Sequence, residues 1–337
     1  MEYDDILEKV REEFNWTKTK KYNNILRYIS NKDLQNVFGF TNAQSKKVRR
    51  LVLEMDNGES NELRVFIGRH KWHTLDVIPR NRLSCGSYGC IYMSTYGNKV
   101  VKISNDDDIV GMFLEALIGM ILHHNENEAL KVPRVYQMGV LYNNNGIPKI
   151  AISMDFVKGE RIDSIPYDRQ VYALNLLFEG LAIYQRSLNF SHRDLHGGNV
   201  MVGEDNVPCL IDFGNACISI PKTEGSVRDT ESVAESFAEA NGCLNKSHDV
   251  CLLILSLCFM SNGTRFKHIS KQICDDYKKQ RRTNTMPEWD RTQWGYNKEI
   301  FHFHYVYSMY DIQLKYTPSF MFHSPSRFDL MLQRLKF

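Results

Sequence analysis

The sequence predicts an α+β fold in two lobes, a small β-rich one followed by a larger helical one, with a helical N-terminal appendage in front. Three observations predict it. Short apolar runs crowd the stretch from residue 83 to residue 154, helical periodicity takes over from Val171, and residues 6–29 repeat apolar positions at helical spacing. Strands gathered first and helices after them make an α+β arrangement. A chain of 337 residues accommodates this, since single domains usually run to about 100–200 residues. The divisions expected are 1–75 for the appendage, 76–157 for the first lobe and 158–337 for the second.

Composition narrows the function classes. Lys and Arg number 42 against 40 Asp and Glu, a formal charge of +2, which gives no bulk electrostatic case for a nucleic-acid or membrane partner. Eight cysteines are scattered without CxxC pairs. Cys85 and Cys90 fall inside a glycine-rich loop, where a bridge would distort the backbone, so the expectation is free thiols in a reducing compartment. The acidic start Met1-Glu2-Tyr3-Asp4-Asp5 lacks the charged-then-apolar order of a signal peptide. The apolar run from Val250 to Met260 is short for a bilayer span. A soluble, intracellular protein of the cytoplasm is expected. His302, His304 and His323 have no carboxylates at metal-ligand spacing and read as core or surface residues.

In the appendage, Ile6, Val10 and Phe14 suggest one amphipathic helix, and Tyr22, Ile25, Leu26 and Ile29 a second. Lys46-Lys47-Val48-Arg49-Arg50 reads as a solvated face. Val52 to Met55 and Leu63 to Ile67 flank Asn57-Gly58, a pair favoured in tight hairpin turns, so a strand pair is expected there. Leu83 to Tyr92 then carries Gly86 and Gly89, and glycines let a strand-turn-strand backbone bring its N–H groups close to phosphates. Taken alone, this stretch is equally a bare hairpin. Ten residues on, Val100-Val101-Lys102-Ile103 sets one lysine in an apolar strand, which is costly unless the lysine is paired. From Ile109 to Leu122 the pattern is helical with Glu115 as its only acid, among Met112, Leu114, Leu117 and Ile118. Such an acid is either the partner of Lys102 or an exposed residue on a surface helix. Val132 to Tyr136 and Ile150 to Met154 read as two further strands, and Val171 to Leu188 as a long helix.

The chemistry concentrates in Ser191-His192-Arg193-Asp194-Leu195-His196-Gly197-Gly198-Asn199-Val200, followed thirteen residues after Asn199 by Asp212-Phe213-Gly214. Phosphoryl transfer needs a carboxylate to orient the attacking hydroxyl and oxygen ligands to hold Mg²⁺ across nucleotide phosphates. Asp194 fits the first role, Asn199 and Asp212 the second. The spacing H-R-D-L-x-x-x-N followed by D-F-G resembles the protein-kinase signature set. With the glycine loop, Lys102 and Glu115 in order, residues from about Leu83 to Met260 resemble the eukaryotic-type protein kinase superfamily. The 191–200 loop is closest in style to haspin-like kinases and to divergent kinases of large DNA viruses. Haspin replaces the Phe of D-F-G, and Phe213 is retained here.

That resemblance implies a bilobal protein-kinase-like fold, ATP and Mg²⁺ as cofactors, and an unidentified protein substrate. Lys102 and Glu115 would anchor the phosphates. Ser84, Gly86, Gly89, Ile91, Val100, Met154 and Met201 would border the nucleotide, with Met154 as gatekeeper and the backbones of Asp155 and Val157 facing the adenine edge. Arg193 would hold the activation segment, a role that small-molecule phosphotransferases of this fold usually lack. His196 stands where Ser/Thr kinases often place a lysine near the γ-phosphate. Asp249, before an apolar run, resembles the aspartate that holds the catalytic-loop backbone, and is otherwise a helix N-cap. Departures are plain: Ser84 replaces the first glycine, Gly119 stands one turn after Glu115 in place of a bulky residue, and no Ala-Pro-Glu follows Gly214. The segment from Asn215 to Ala240 offers Ser219, Thr223, Ser226, Thr230 and Ser232 for phosphorylation. A Ser/Thr protein kinase is the expectation, with a small-molecule phosphotransferase or a weakly active scaffold as rivals. The aromatic stretch from Trp289 to Phe322 is long enough to roof a small-molecule site, and Phe328 to Leu335 suits a closing helix.

Overall fold

The computed structural model describes residues 29–53, 61–86, 89–105, 108–142, 145–188, 190–221 and 230–234, together with Asp249, Leu253, Ser256 and Leu257. The expected helices before Ile29, the Asn57-Gly58 turn, the stretch from Trp289 to Phe322 and the closing helix lie outside these residues.

Three helices open the described chain: α1 (Asn31–Phe38), α2 (Asn42–Leu53) and α3 (Asn61–Arg69). Ser30 starts α1 with a capping box, its hydroxyl accepting from the Asp33 amide while Asp33 reaches back to the Ser30 N–H, and Gly39 ends the helix in the left-handed conformation. The strand pair expected over 52–67 is corrected here, because Val52 closes α2 and Leu63 to Ile67 lie within α3. The physical reason is the wider spacing. Val48, Leu51 and Val52, then Leu63 and Ile67, are buried at intervals of three and four, which only a helix turns to one side. The basic cluster lies on α2 with a solvated face: Lys47 and Arg50 both reach the exposed Glu62 carboxylate, at 3.3 and 3.8 Å.

A five-stranded sheet follows, in the order β1-β2-β3-β5-β4, built from β1 (Pro79–Cys85), β2 (Gly89–Ser94), β3 (Lys99–Ser104), β4 (Val135–Tyr142) and β5 (Pro148–Asp155). All described pairings in it are antiparallel. The strand expected at Val132 begins at Val135, after Pro133, which has no N–H for a ladder. Residues 73–75 extend the sheet at the β4 edge, Leu75 donating to Val140 and Val140 to His73. Cys85 and Cys90 are cross-strand partners and form a disulfide, which corrects the expectation of free thiols at this pair. Gly86 N–H donates to the Gly89 carbonyl at 2.9 Å, and that tight closure turns the two flanking cysteines toward each other. Among the described residues Cys209 is a free, buried cysteine, its thiol pushed up to about 12 by burial.

Between β3 and β4 runs α4 (Ile109–His124), whose residues from Val110 to Leu122 are all buried. The second lobe contributes α5 (Tyr167–Leu188) and the short strands β6 (Glu160–Arg161), β7 (Phe190–Ser191), β8 (Val200–Val202) and β9 (Pro208–Leu210). A hairpin of β10 (Cys217–Pro221) and β11 (Thr230–Ala234) pairs with β7. One apolar core runs from Phe38 and Ile67 of the appendage through Phe113 and Leu117 of α4 to Phe178, Leu181 and Phe213. The fold is α+β, with α4 packed against β4 and β5 of the sheet and against α3 of the appendage.

A candidate phosphoryl-transfer site

Three elements converge on Lys102. β3 delivers its ammonium, α4 delivers Glu115, and the loop after β9 delivers Asp212. Lys102 Nζ donates to both Glu115 oxygens at 2.7 and 2.8 Å and to Asp212 Oδ1 at 2.7 Å. These three bonds use all three ammonium protons. The Lys102 and Glu115 side chains are only 5% and 8% exposed, so the paired, buried arrangement of Glu115 is the one present and not the exposed one. Burial opposes the charge on Lys102, but the Glu115 and Asp212 carboxylates outweigh it and raise its pKa. Burial pushes the Glu115 carboxyl up, against the opposing ammonium. Asp212 is lowered, because Lys102 outweighs the effect of burial.

Gly119 is explained by what lies against it. A Cβ there would stand 3.3 Å from Val135 Cγ2 and 3.5 Å from Phe213 Cδ2, so the ring of Phe213 occupies the room a bulky residue would fill. Phe213 is buried and packs near His192, with ring centroids 5.6 Å apart. Asp212 therefore faces Lys102 while Phe213 tucks beneath α4.

The loop from β7 to β8 is held from below by Asp249. Its buried carboxylate accepts from the His192 N–H at 2.7 Å, the Arg193 N–H at 2.8 Å and the Ser191 hydroxyl. Arg193 has φ 64° and Asp212 φ 65°, left-handed positions that non-glycine residues adopt only when the surroundings hold them. His192 Nε2–H donates to the Ile211 carbonyl at 3.0 Å, and Ile211 N–H donates to the Asn199 carbonyl at 3.1 Å, joining this loop to the Asp212 segment. Asn199 Nδ2 donates to the Asp194 carbonyl at 2.9 Å, which leaves its amide oxygen as an acceptor. His196 Nδ1 accepts from Gly198 N–H at 3.0 Å, so the neutral ring carries its proton on Nε2. Burial lowers the His196 pKa, which favours that neutral form.

The remaining expected residues are placed as follows. Ser84 is the last but one residue of the exposed β1, Gly86 and Gly89 flank the loop tip, and Ile91 pairs with Lys102 across β2 and β3. Val100 is buried and pairs with Met154, while Met201 on β8 faces Cys209. A Cβ on Gly89 would collide with the Ile103 carbonyl oxygen, so packing alone demands glycine at that position. Asp155 turns its carboxylate back, accepting from Arg134 N–H at 3.0 Å and Tyr136 Oη at 2.7 Å, and its own N–H is taken by the Arg134 carbonyl. Val157 follows in the half-buried connection toward β6.

Sequence reasoning missed three contributors. Asn215 Nδ2 reaches Asp194 Oδ2 at 3.4 Å, and the signal was its place directly after Gly214. Ser256 Oγ accepts from Gly197 N–H at 3.0 Å. It stands seven residues after Asp249, two helical turns along the same face. Asp163 pairs with Arg161 beside Gly197 and carried no sequence signal.

Comparisons with known proteins agree with this architecture. The model of the Phosphotransferase enzyme family matches residues 168–224, which span α5, the 191–200 loop and Asp212. The tyrosine-protein kinase Abl of Drosophila melanogaster is 25% identical over 152 residues, covering 42% of this chain and 9% of that protein. Both findings make the chain similar to proteins of the protein-kinase-like superfamily. The match to Abl spans under a tenth of the relative's length. The stretch 168–224 includes Asp194, Asn199 and Asp212, and Asp212 meets the Lys102–Glu115 pair, which lies outside it. No helix among the described residues is long and apolar enough to cross a membrane.

Proposed function

We propose that this chain transfers the γ-phosphate of ATP to serine or threonine hydroxyls of proteins. The observation that carries the reading is the buried Lys102, bound by Glu115 from α4 and by Asp212 from the second lobe. A buried cation between two carboxylates from separate elements is a costly structural device, and it suits a site that receives polyphosphate. ATP would supply the phosphoryl group, and Mg²⁺ would offset the charge of its phosphates.

The donor set fits the cation. Asp212 gives a carboxylate whose Oδ2 is not engaged by Lys102, and Asn199 gives the amide oxygen left over from its bond to Asp194. Hard oxygen ligands of this kind suit Mg²⁺ with phosphate oxygens and water completing the shell. All three Lys102 protons are in use, so Lys102 would hold a phosphate oxygen only with the proton it now gives to Asp212, and Asp212 would then be available to the cation. Asp194, half-buried and steadied through Asn199 and Asn215, orients the acceptor hydroxyl and takes up its proton. Neutral His196 offers an Nε2–H donor near the transferred group without carrying a charge.

Arg193 supports a protein acceptor. It is buried beside Asp249, two residues after Ser191, which pairs with Cys217 of the β10–β11 hairpin that follows Gly214 and includes Ser219, Thr230 and Ser232. A second reading, a kinase-fold enzyme for small-molecule acceptors, is favoured by the Phosphotransferase enzyme family match over residues 168–224. Incubation with γ-labelled ATP and Mg²⁺ against generic protein substrates and small-molecule hydroxyl acceptors separates the two. The proposal expects label in phosphoserine or phosphothreonine. Label confined to a small molecule, or to phosphotyrosine, overturns it.

A further inference from the structure

The appendage has a role that the site itself does not explain. Glu115 is the only charged residue in the buried run Val110–Leu122, and that run is buried on every side. A helix apolar all round is covered all round. β3 and Phe213 cover the side toward Glu115 and Gly119, and the appendage covers the opposite one. Phe113 stands two residues before Glu115, about 200° around the helix, so its side chain leaves the far face. It meets Phe38 at 4.9 Å and Phe40 at 6.2 Å between ring centroids. Phe38 and Phe40 in turn contact Trp72, and Phe40 contacts Phe66 and His70, an aromatic cluster drawn from α1, α3 and the segment leading to β1. Helix α3 packs on α4, and α1 packs on β4. At the C-terminal end of α4, His124 lies 3.6 Å from the Asp33 carboxylate of α1.

We propose that the appendage is a built-in brace on α4, and that Phe38, acting through Phe113, is a positioning residue that holds Glu115 against Lys102. The inference rests on the reading of Lys102 as the phosphate anchor. The reasoning is one of linked equilibria. Any displacement of α4 that takes Glu115 off Lys102 also withdraws Phe113 from the Phe38–Phe40–Trp72 cluster. The displaced state therefore loses apolar burial as well as the ion pair, and the appendage biases the helix toward the paired position. A mere covering of a sticky surface would stabilise the fold and leave the Lys102–Glu115 geometry indifferent to Phe38.

The test uses the full chain and reads Lys102 directly. The rate at which a small amine-reactive ester acylates Lys102 is followed by mass spectrometry, with the exposed Lys158 as internal reference, in wild type, Phe38→Ala, Phe38→Leu and Glu115→Gln. Thermal unfolding of each variant confirms a folded sample. If the displaced state is a small minority in wild type, losing the brace should accelerate Lys102 acylation about tenfold relative to Lys158. Phe38→Leu should restore most of the protection, and Phe38→Ala should add little on top of Glu115→Gln. Unchanged Lys102 protection in folded Phe38→Ala, or equal acceleration by Phe38→Ala in the wild-type and Glu115→Gln backgrounds, overturns the proposal. Should Phe38→Ala fail to fold, Phe40→Ala, whose ring lies 6.2 Å from that of Phe113, is read the same way. The readout needs no phosphoryl transfer, so an inactive wild type would defeat the proposed function and still decide the brace.

Discussion

Lys102→Met separates what the buried ion pair does for stability from what it does for chemistry. Methionine replaces the apolar stem of lysine and removes the charge, so little cavity is created. Glu115, 8% exposed, is then left as a buried carboxylate without its cation. Breaking a buried pair in this way costs about 3–5 kcal/mol. The chain can escape part of that cost by protonating Glu115. From an ordinary glutamate value near 4.3, doing so at pH 7 costs about 3.7 kcal/mol, and at pH 5.5 about 1.6 kcal/mol. Burial already raises the Glu115 carboxyl, and removing Lys102 removes the charge that most opposes that rise. The folded variant thus holds a proton that the unfolded chain releases as pH climbs, so its deficit grows with pH. Denaturant unfolding should show a loss of about 3–4 kcal/mol at pH 7 that shrinks by about 2 kcal/mol at pH 5.5. Adding Glu115→Gln should abolish this pH dependence and leave the double variant folded but unable to transfer phosphate. A deficit that does not change between the two pH values would refute the reasoning.

Further predictions follow from neighbouring contacts. Asp249→Ala strips the buried His192 and Arg193 N–H groups of their acceptor, and at about 1–3 kcal/mol for each orphaned group it should cost about 2–6 kcal/mol in chemical unfolding, with activity lost. His196 has a lowered pKa, so its contribution is complete above the ordinary value of 6.5 and is lost as pH falls through that value toward the folded one. His196→Asn, whose Oδ1 can still accept the Gly198 N–H, should flatten that part of the stability–pH curve relative to wild type. Gly119→Leu must displace Val135 or Phe213 and should cost about 1–3 kcal/mol, read by thermal unfolding. Alkylation without reductant followed by peptide mapping should recover Cys85 linked to Cys90 and leave buried Cys209 unmodified in the folded protein.

The parts legible in the sequence were those written locally. A lysine alone in the Val100–Ile103 run, one acid in the Ile109–Leu122 helix and the two polar motifs after β7 each needed only a few neighbours to be read. Asp249 could be read beside them because an aspartate opening an apolar run has few uses. Local signals also misled. Asn57-Gly58 pointed to a hairpin, whereas the buried spacing of Leu51, Val52, Leu63 and Ile67 belongs to two helices. The Cys85–Cys90 bridge depends on the register of β1 against β2, and register is set by the folded turn. The contact of Phe38 with Phe113 joins residues 75 positions apart, and no periodicity reports it. Asn215 and Ser256 reach the 191–200 loop only because that loop folds back on the segments carrying them.

The most direct test of the central claim is single-turnover transfer of the γ-phosphate from ATP in the presence of Mg²⁺, comparing wild type with Asp194→Asn. Lys102 gives its three protons to Glu115 and Asp212 and none to Asp194, so the variant should bind ATP with Mg²⁺ as wild type does. The account predicts transfer to a protein hydroxyl by wild type and a rate lower by about 10²–10⁴-fold in Asp194→Asn, the usual share of a positioned acid or base. Undiminished transfer by Asp194→Asn would contradict it.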